Sequence, residues 1–232
     1  MPPIPGLAEA APLTNESIFA LQELPDHLLI VGGGPAGLEM AQSFRRLGAR
    51  ATVIQRYGIL ADDEPEAAAI ARQTLAREGV EIIERASVTA VRRTASATEV
   101  SMEVENQDRT VAGSHLLVAA GRVPNLDGLR LDAAGVTATS RGIEVDSRLR
   151  TSNRKIFAIG DAIDGPRFTH SAGYQAGIVI RNALFGLPAR VGYSALPARR
   201  NLALRDMWER QIKPDAEARF LLGDRTSPGQ TR

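Results

Sequence analysis

The sequence contains no cysteine among its 232 residues. This absence excludes disulfides, thiolate metal sites and cysteine redox chemistry within the chain. No apolar run reaches the roughly 18 residues that a membrane-spanning helix needs. The net charge is only +1, so the composition gives no reason to expect a nucleic acid or a charged membrane surface as a partner. The three histidines, His27, His115 and His170, lack metal-ligand spacing, and we interpret them as structural.

The amino terminus lacks both the basic start and the apolar core of a signal peptide. A cytoplasmic protein is therefore the expectation from the sequence. Hydrophobic residues make up 44% of the chain, which is enough to build a folded core.

A glycine cluster follows the first strongly apolar segment, in "LLIVGGGPAGLE" from Leu28. Its glycines fit G-x-G-x-x-G, the pattern of a dinucleotide-binding turn between a strand and a helix. The first glycine permits a sharp turn, the second lets a diphosphate approach the backbone, and the third lets the helix pack closely on the strand. The free N–H groups at the helix start then favour an anion. The predicted cofactor-binding residues here are Gly32, Gly34, Pro35, Ala36 and Gly37.

The residue that ends the second strand usually selects the dinucleotide, and here it is Gln55, followed by Arg56. An acid at this point would bind the ribose hydroxyls of NAD or FAD. A neutral glutamine does not repel a 2′-phosphate, and an arginine can form two parallel hydrogen bonds with one. The sequence therefore favours NADP over NAD as the coenzyme. Binding of FAD itself at the glycine turn stays open as an alternative, with Gln55 counting against it.

The order of predicted elements indicates an α/β fold. A first helix is expected to stop at Gly48, and a second to be capped by Asp62 and Asp63. Residues 1–26 carry five prolines and are interpreted as an extended lead-in. The predicted strands are 27–31, 51–54, 80–83, 87–93, 97–105, 109–112 and 115–121, and the predicted helices are 36–47, 64–78 and 171–185.

Three further segments, together with the glycine motif, carry a resemblance to a known family. They are "PPIPG" (Pro2–Gly6), "LLVAAGRVPN" (Leu116–Asn125) and "TSNRKIFAIGD" (Thr151–Asp161). Together with the glycine turn, and in this order, they resemble the flavin-dependent pyridine nucleotide-disulfide oxidoreductases. The segment from Phe168 to Gly186 looks most like the mercuric-reductase-like branch.

The resemblance implies roles for individual residues. Gly32, Gly34 and Gly37 would hold the NAD(P) diphosphate, Arg56 matches the position where NADPH-using members carry an arginine, and Glu39, in the first helical turn, would lie by the nicotinamide. Gly121 would also pass close to the nicotinamide half, and Gly160 and Asp161 would lie at the FAD ribityl chain.

It also implies a domain plan: a Rossmann-like NAD(P)-binding domain with a three-stranded β-meander at residues 24–126, and a partial FAD-binding domain at 127–197. Residues 1–23 would be a remnant or linker of the FAD domain. Residues 198–232 form an atypical tail, for which we hypothesise out-of-frame or unrelated sequence, with a short amphipathic helix as the alternative.

Other family features are missing from the sequence. The first FAD-binding unit, the cysteine pair and the dimerisation domain of this homodimeric family are expected to be absent. We therefore expect a fragment that retains NAD(P) binding, holds FAD poorly and lacks turnover. A non-catalytic nucleotide-binding module, or one half of a split flavoenzyme, is the alternative.

Overall fold

The computed structural model of the chain describes residues 1–61, 63–165 and 167–193. These residues divide into two compact units, Met1–Gly121 and a second that begins at Arg122. The predicted tail at residues 198–232 lies outside the described residues.

The described part of the first unit contains a short 3-10 helix, Ile18–Ala20, followed by two sheets and two α-helices in the order β1, α1, β2, α2, β3, then β4 to β7. Their bounds are β1 His27–Val31, α1 Pro35–Leu47, β2 Arg50–Ile54, α2 Pro65–Arg77, β3 Glu81–Ile83, β4 Ala86–Arg93, β5 Thr98–Val104, β6 Gln107–Gly113 and β7 His115–Val118.

A four-stranded sheet of order β3-β2-β1-β7 forms the centre of this unit. All of its pairings are parallel, and every residue of β1 is buried. Burial on both faces explains why β1 reads as one apolar run with no polar alternation. Leu28 and Ile30 pack with Leu38 of α1 and Leu75 of α2 in one core cluster. The predicted α/β fold is confirmed, and its central sheet is parallel.

A second sheet of order β4-β5-β6 is antiparallel. One face of it carries Val91, Val100 and Met102, which are buried with Leu29 of β1 in a second core cluster. The register of β4 against β5 shifts between Val88 and Ala90, as expected where an extra residue bulges out of a strand.

The amino-terminal segment is part of the first unit rather than an extended lead-in. Leu7 and Ile18 are buried. Leu13 donates its N–H to Leu116 and accepts the N–H of Val118, at 2.7 and 2.9 Å, and so pairs along β7. The prolines broke the apolar periodicity of this segment, and for that reason the sequence did not predict its packing.

The helix ends agree only partly with the prediction. Gly48 ends α1 with a left-handed φ of +113°, as predicted. The N-cap of α2 is Glu64, one residue after Asp63, and the Glu64 side chain makes no capping hydrogen bond; Asp62 lies outside the described residues. Pro65 opens the helix, and proline suits this position because it has no N–H to satisfy.

The second unit is built around an apolar cluster that includes Val136, Leu149 and Ile178. Its elements are β8 Ala138–Thr139, β9 Gly142–Ile143, a short 3-10 helix Gly160–Ala162 and α3 Thr169–Ala183. Helix α3 begins and ends two residues earlier than predicted. No helix in the described ranges is both long enough and apolar enough to cross a membrane.

Candidate functional site

The glycine turn joins β1 to α1 at the carboxyl edge of the parallel sheet. Gly32 has a φ of +122°, which L side chains rarely adopt. A Cβ at this position would overlap the carbonyl oxygen of Ala119 and lie 2.5 Å from its carbon. The N–H of Gly32 is bonded to the Ile54 carbonyl oxygen at 2.9 Å. Only glycine fits here, because the turn passes directly against the chain that leaves β7.

The other two motif glycines differ in their surroundings: Gly37 is tightly packed and Gly34 borders open space. A Cβ on buried Gly37 would overlap the carbonyl oxygen of Gly32 and lie 3.4 Å from the Ala119 Cβ, so this position holds α1 against the turn. A Cβ on Gly34 would meet no atom within 4 Å. Gly34 has an ordinary φ of −77°, so neither packing nor backbone strain within the described residues requires glycine there.

The first turn of α1 follows that open space, and its backbone donors are those of Ala36 and Gly37, since Pro35 has no N–H. The first N–H groups of a helix have no intrahelical partner, and Gly34, as the N-cap, supplies no side-chain bond to them. The positive end of the helix dipole lies at the same point. No acidic residue lies in the first turn of α1. The prediction that Glu39 belongs to that turn is therefore wrong, since Glu39 is the fifth residue of the helix.

Gln55, predicted at the end of β2, turns back into the protein. Its Oε1 accepts the N–H of Gly33 at 2.9 Å, and its Nε2 donates to the Gly58 carbonyl oxygen at 3.4 Å. The side chain is half-buried. Gln55 thus ties the glycine turn to the loop that follows β2.

Arg56 is exposed, and its guanidinium lies 5.6 Å from the centroid of the Tyr57 ring. Within the described part of the chain it forms no ion pair. A charged group with this geometry is available to an anionic ligand at the carboxyl edge of the sheet.

Two residues that hold this loop, Glu84 and Arg72, were not predicted from the sequence. Glu84, which follows β3, accepts the N–H of buried Ile59 at 2.7 Å. It also receives two hydrogen bonds from Arg72 of α2, at 2.8 and 2.9 Å. The hydrogen bonds from Arg72 hold the pKa of Glu84 below its usual value. No short-range pattern links these positions, so only the tertiary structure reveals the contact.

The remaining predicted residues lie further along the chain. Gly121 has a φ of +119° with open space beside it, and it ends the first unit. In the second unit, the N–H of Gly160 is bonded to the Oε1 of buried Gln175 at 2.6 Å. Asp161 is exposed and pairs with Arg122 at 3.1 Å.

The histidines have structural surroundings. His27 is buried, with its Nε2 2.8 Å from the Thr52 hydroxyl, and burial lowers its pKa. His115 lies 3.1 Å from the Ser114 hydroxyl, and His170 stacks on Phe168. Among the residues that the structure describes, no cluster of three or more histidine, aspartate or glutamate side chains is placed to hold a metal.

Comparison with known proteins gives a consistent result. The sequence model of a family described as pyridine nucleotide-disulphide oxidoreductase matches residues 1–176. A mercuric reductase of Streptomyces lividans is 40% identical over 197 residues, which cover 84% of this chain and 42% of that protein. A dihydrolipoyl dehydrogenase of Geobacillus stearothermophilus is 37% identical over 188 residues, covering 80% and 40%. The chain thus spans less than half the length of these curated relatives.

Solved structures are similar as well. The Cu(II) complex of the HOCl-induced flavoprotein disulfide reductase RclA from Escherichia coli superposes with a TM-score of 0.74 at 30% identity, covering 82% of this chain and 44% of that chain. LpdA from Mycobacterium tuberculosis gives a TM-score of 0.69 at 31% identity, covering 78% and 39%.

Proposed function

The chain belongs to the pyridine nucleotide-disulphide oxidoreductase family, and on that basis we propose that its first unit is a Rossmann-like domain that binds a pyridine dinucleotide, NADPH in preference to NADH. The diphosphate would lie at the turn before α1. Arg56 would bind the 2′-phosphate of the adenosine ribose.

The observation that carries this proposal is the contrast among the three motif glycines. Gly32 and Gly37 are required by close contacts within the protein, whereas Gly34 borders open space. A glycine that the fold does not need is explained if a ligand approaches the backbone at that point. The N–H groups at the start of α1 have no intrahelical partner and favour an anionic ligand at that point.

Coenzyme selection is proposed to rest on charge. The Gln55 amide is held by Gly33 and Gly58, so no carboxylate stands at the end of β2 to repel a phosphate. Arg56 follows directly and is exposed. A charge-assisted hydrogen bond is typically worth about 1.5–3 kcal/mol, which corresponds to roughly 10- to 100-fold in affinity.

The proposed part of this chain in catalysis is limited to binding. In the family, FAD and the pyridine nucleotide supply the hydride chemistry, and protein residues bind and orient them. Gly160 and Asp161 suit a flavin site only in part, because the Asp161 carboxylate is already paired with Arg122. The sequence given has no cysteine to receive electrons. We therefore propose weak FAD binding and no disulfide or mercuric reductase turnover by this chain alone.

The test is a calorimetric titration of the 232-residue chain with NADPH, NADH and FAD. We expect NADPH to bind more tightly than NADH, with weak FAD binding that does not compete with NADPH. Arg56→Ala should lose most of the preference, and Arg77→Ala, which removes an equal charge at the opposite end of α2, should keep it. Absence of NADPH binding, or displacement of NADPH by FAD, would overturn the proposal.

A further inference from the structure

The loop that carries Arg56 is fastened on both sides of a two-residue tip. Before the tip, Gln55 is bonded through its backbone N–H to Ile83, at 2.9 Å, and through its side chain to Gly33. After the tip, Ile59 and Leu60 are buried. The N–H of Leu60 is bonded to the Gly33 carbonyl oxygen at 3.1 Å. Only Arg56 and Tyr57 are left exposed between these anchors.

Glu84 supplies the anchor on the far side of the tip. Its Oε1 accepts the buried Ile59 N–H and also the Nη2 of Arg72. Its second oxygen accepts the Nε of Arg72. The two hydrogen bonds from one planar guanidinium fix the carboxylate in one orientation, as bidentate pairs do. The Arg85 N–H, bonded to the Tyr57 carbonyl oxygen at 3.3 Å, adds a weaker contact from the same turn.

We infer that Glu84, oriented by Arg72, is a positioning residue that sets the coenzyme preference by fixing the loop on which Arg56 stands. The inference rests on the proposed NADPH site. Among the residues described, Arg56 forms no ion pair and no side-chain hydrogen bond, and its guanidinium lies 5.6 Å from the Tyr57 ring centroid. The backbone that carries it therefore decides how much conformational freedom must be lost before the guanidinium can bind a phosphate.

The two coenzymes respond differently to a loosened loop. NADPH and NADH share the diphosphate, whose proposed contacts are at Gly34 and the start of α1. The contacts of that turn at Gly32 and Gly37 do not involve Glu84; only Gly33 of the turn is bonded to the loop among the contacts described above, through Gln55 and Leu60. Only NADPH has a 2′-phosphate for Arg56, so loss of the Glu84 anchor should weaken NADPH binding more than NADH binding.

The chain contains a matched control in Glu78. Its carboxylate receives two hydrogen bonds from Arg46, at 2.6 and 2.8 Å, and its side chain is 24% exposed, against 26% for Glu84. It lies at the opposite end of α2, directly after Arg77. Glu78→Ala thus removes a comparable ion pair far from the loop.

The experiment measures Kd for NADPH and for NADH with the 232-residue chain and its variants, together with the urea midpoint of each. For Glu84→Ala we expect the NADPH-over-NADH preference to fall by roughly 3- to 10-fold, with NADH affinity within about twofold of the original. Glu78→Ala should lower stability and leave the preference unchanged. In an Arg56→Ala background, Glu84→Ala should not change the preference further, because the two residues act on the same contact.

Two results would overturn the inference: an unchanged preference in Glu84→Ala, or an equal loss of preference in Glu78→Ala. If Glu84→Ala does not fold, Arg72→Lys keeps the charge and loses the paired geometry; it should reduce the preference to a smaller extent, and an unchanged ratio would again refute the inference.

If the original chain binds neither coenzyme, the proposed function fails, and the inference fails with it. If it prefers NADPH through Arg56 and Glu84 has no effect, only the inference fails.

Discussion

Gly37→Ala and Gly34→Ala each add one methyl group, at positions three residues apart. The structure predicts that the first change costs more stability and the second more ligand affinity. At Gly37 the new Cβ would overlap the carbonyl oxygen of Gly32 and lie 3.1 Å from its carbon. The clash is with backbone, so α1 must move away from the turn by about 1 Å before normal contact is restored. At Gly34 the same methyl meets nothing within 4 Å.

The magnitudes follow from these contacts. Overpacking a tight interior costs typically about 1–3 kcal/mol, and the better helix propensity of alanine returns up to ~1 kcal/mol inside a helix. We therefore expect Gly37→Ala to lower the free energy of unfolding by a net of about 1–2 kcal/mol. Gly34→Ala should lower it by about 1 kcal/mol, since alanine is a poorer N-cap than glycine but meets no clash here.

For NADPH affinity the order of the two variants should be the reverse of their order in stability. The Gly34→Ala methyl would occupy the space proposed for the diphosphate, so we expect a loss of NADPH affinity of at least about tenfold in a stable protein. Urea unfolding followed by circular dichroism gives the stability, and calorimetry gives the affinity. The reasoning about Gly34 would be refuted by a variant that binds NADPH as the original chain does, and the reasoning about Gly37 by a variant of undiminished stability.

Two further predictions concern buried polar groups. Burial lowers the pKa of His27, so the unfolded chain binds its proton more readily; stability should be unaffected above the ordinary pKa of 6.5 and should fall as the pH drops below it. Urea midpoints between pH 7.5 and 5 should therefore decline, and His27→Gln should reduce that decline; an identical decline would contradict the assignment. Gln175 is fully buried and bonds the Gly160 N–H and the Tyr193 hydroxyl, so Gln175→Leu should cost about 1–3 kcal/mol by leaving a buried donor unpaired. Tyr193→Phe, which keeps the Gly160 contact, should cost less when both variants are compared by thermal melting.

Local patterns in the sequence predicted the elements that lie close to the glycine turn. The apolar run of β1, the helical spacing of α1 and the stop at Gly48 are all consequences of residues within one turn or strand of each other. The same short-range reasoning failed where several local rules compete. The two aspartates before α2 predicted an aspartate cap, but the N-cap is Glu64, and Pro65 occupies the first helical position.

By itself, the sequence determined the α/β class and the position of the glycine turn, because each depends on periodicity or on backbone freedom at neighbouring residues. Only the tertiary structure decided that residues 1–21 complete the core of the first unit through Leu13 and Ile18. It alone placed Glu84 against Ile59, 25 residues away, and turned the Gln55 amide toward Gly33. These contacts join residues that are distant in sequence. The side-chain oxygens of Gln55 and Glu84 accept the buried N–H groups of Gly33 and Ile59. No local pattern carries that information.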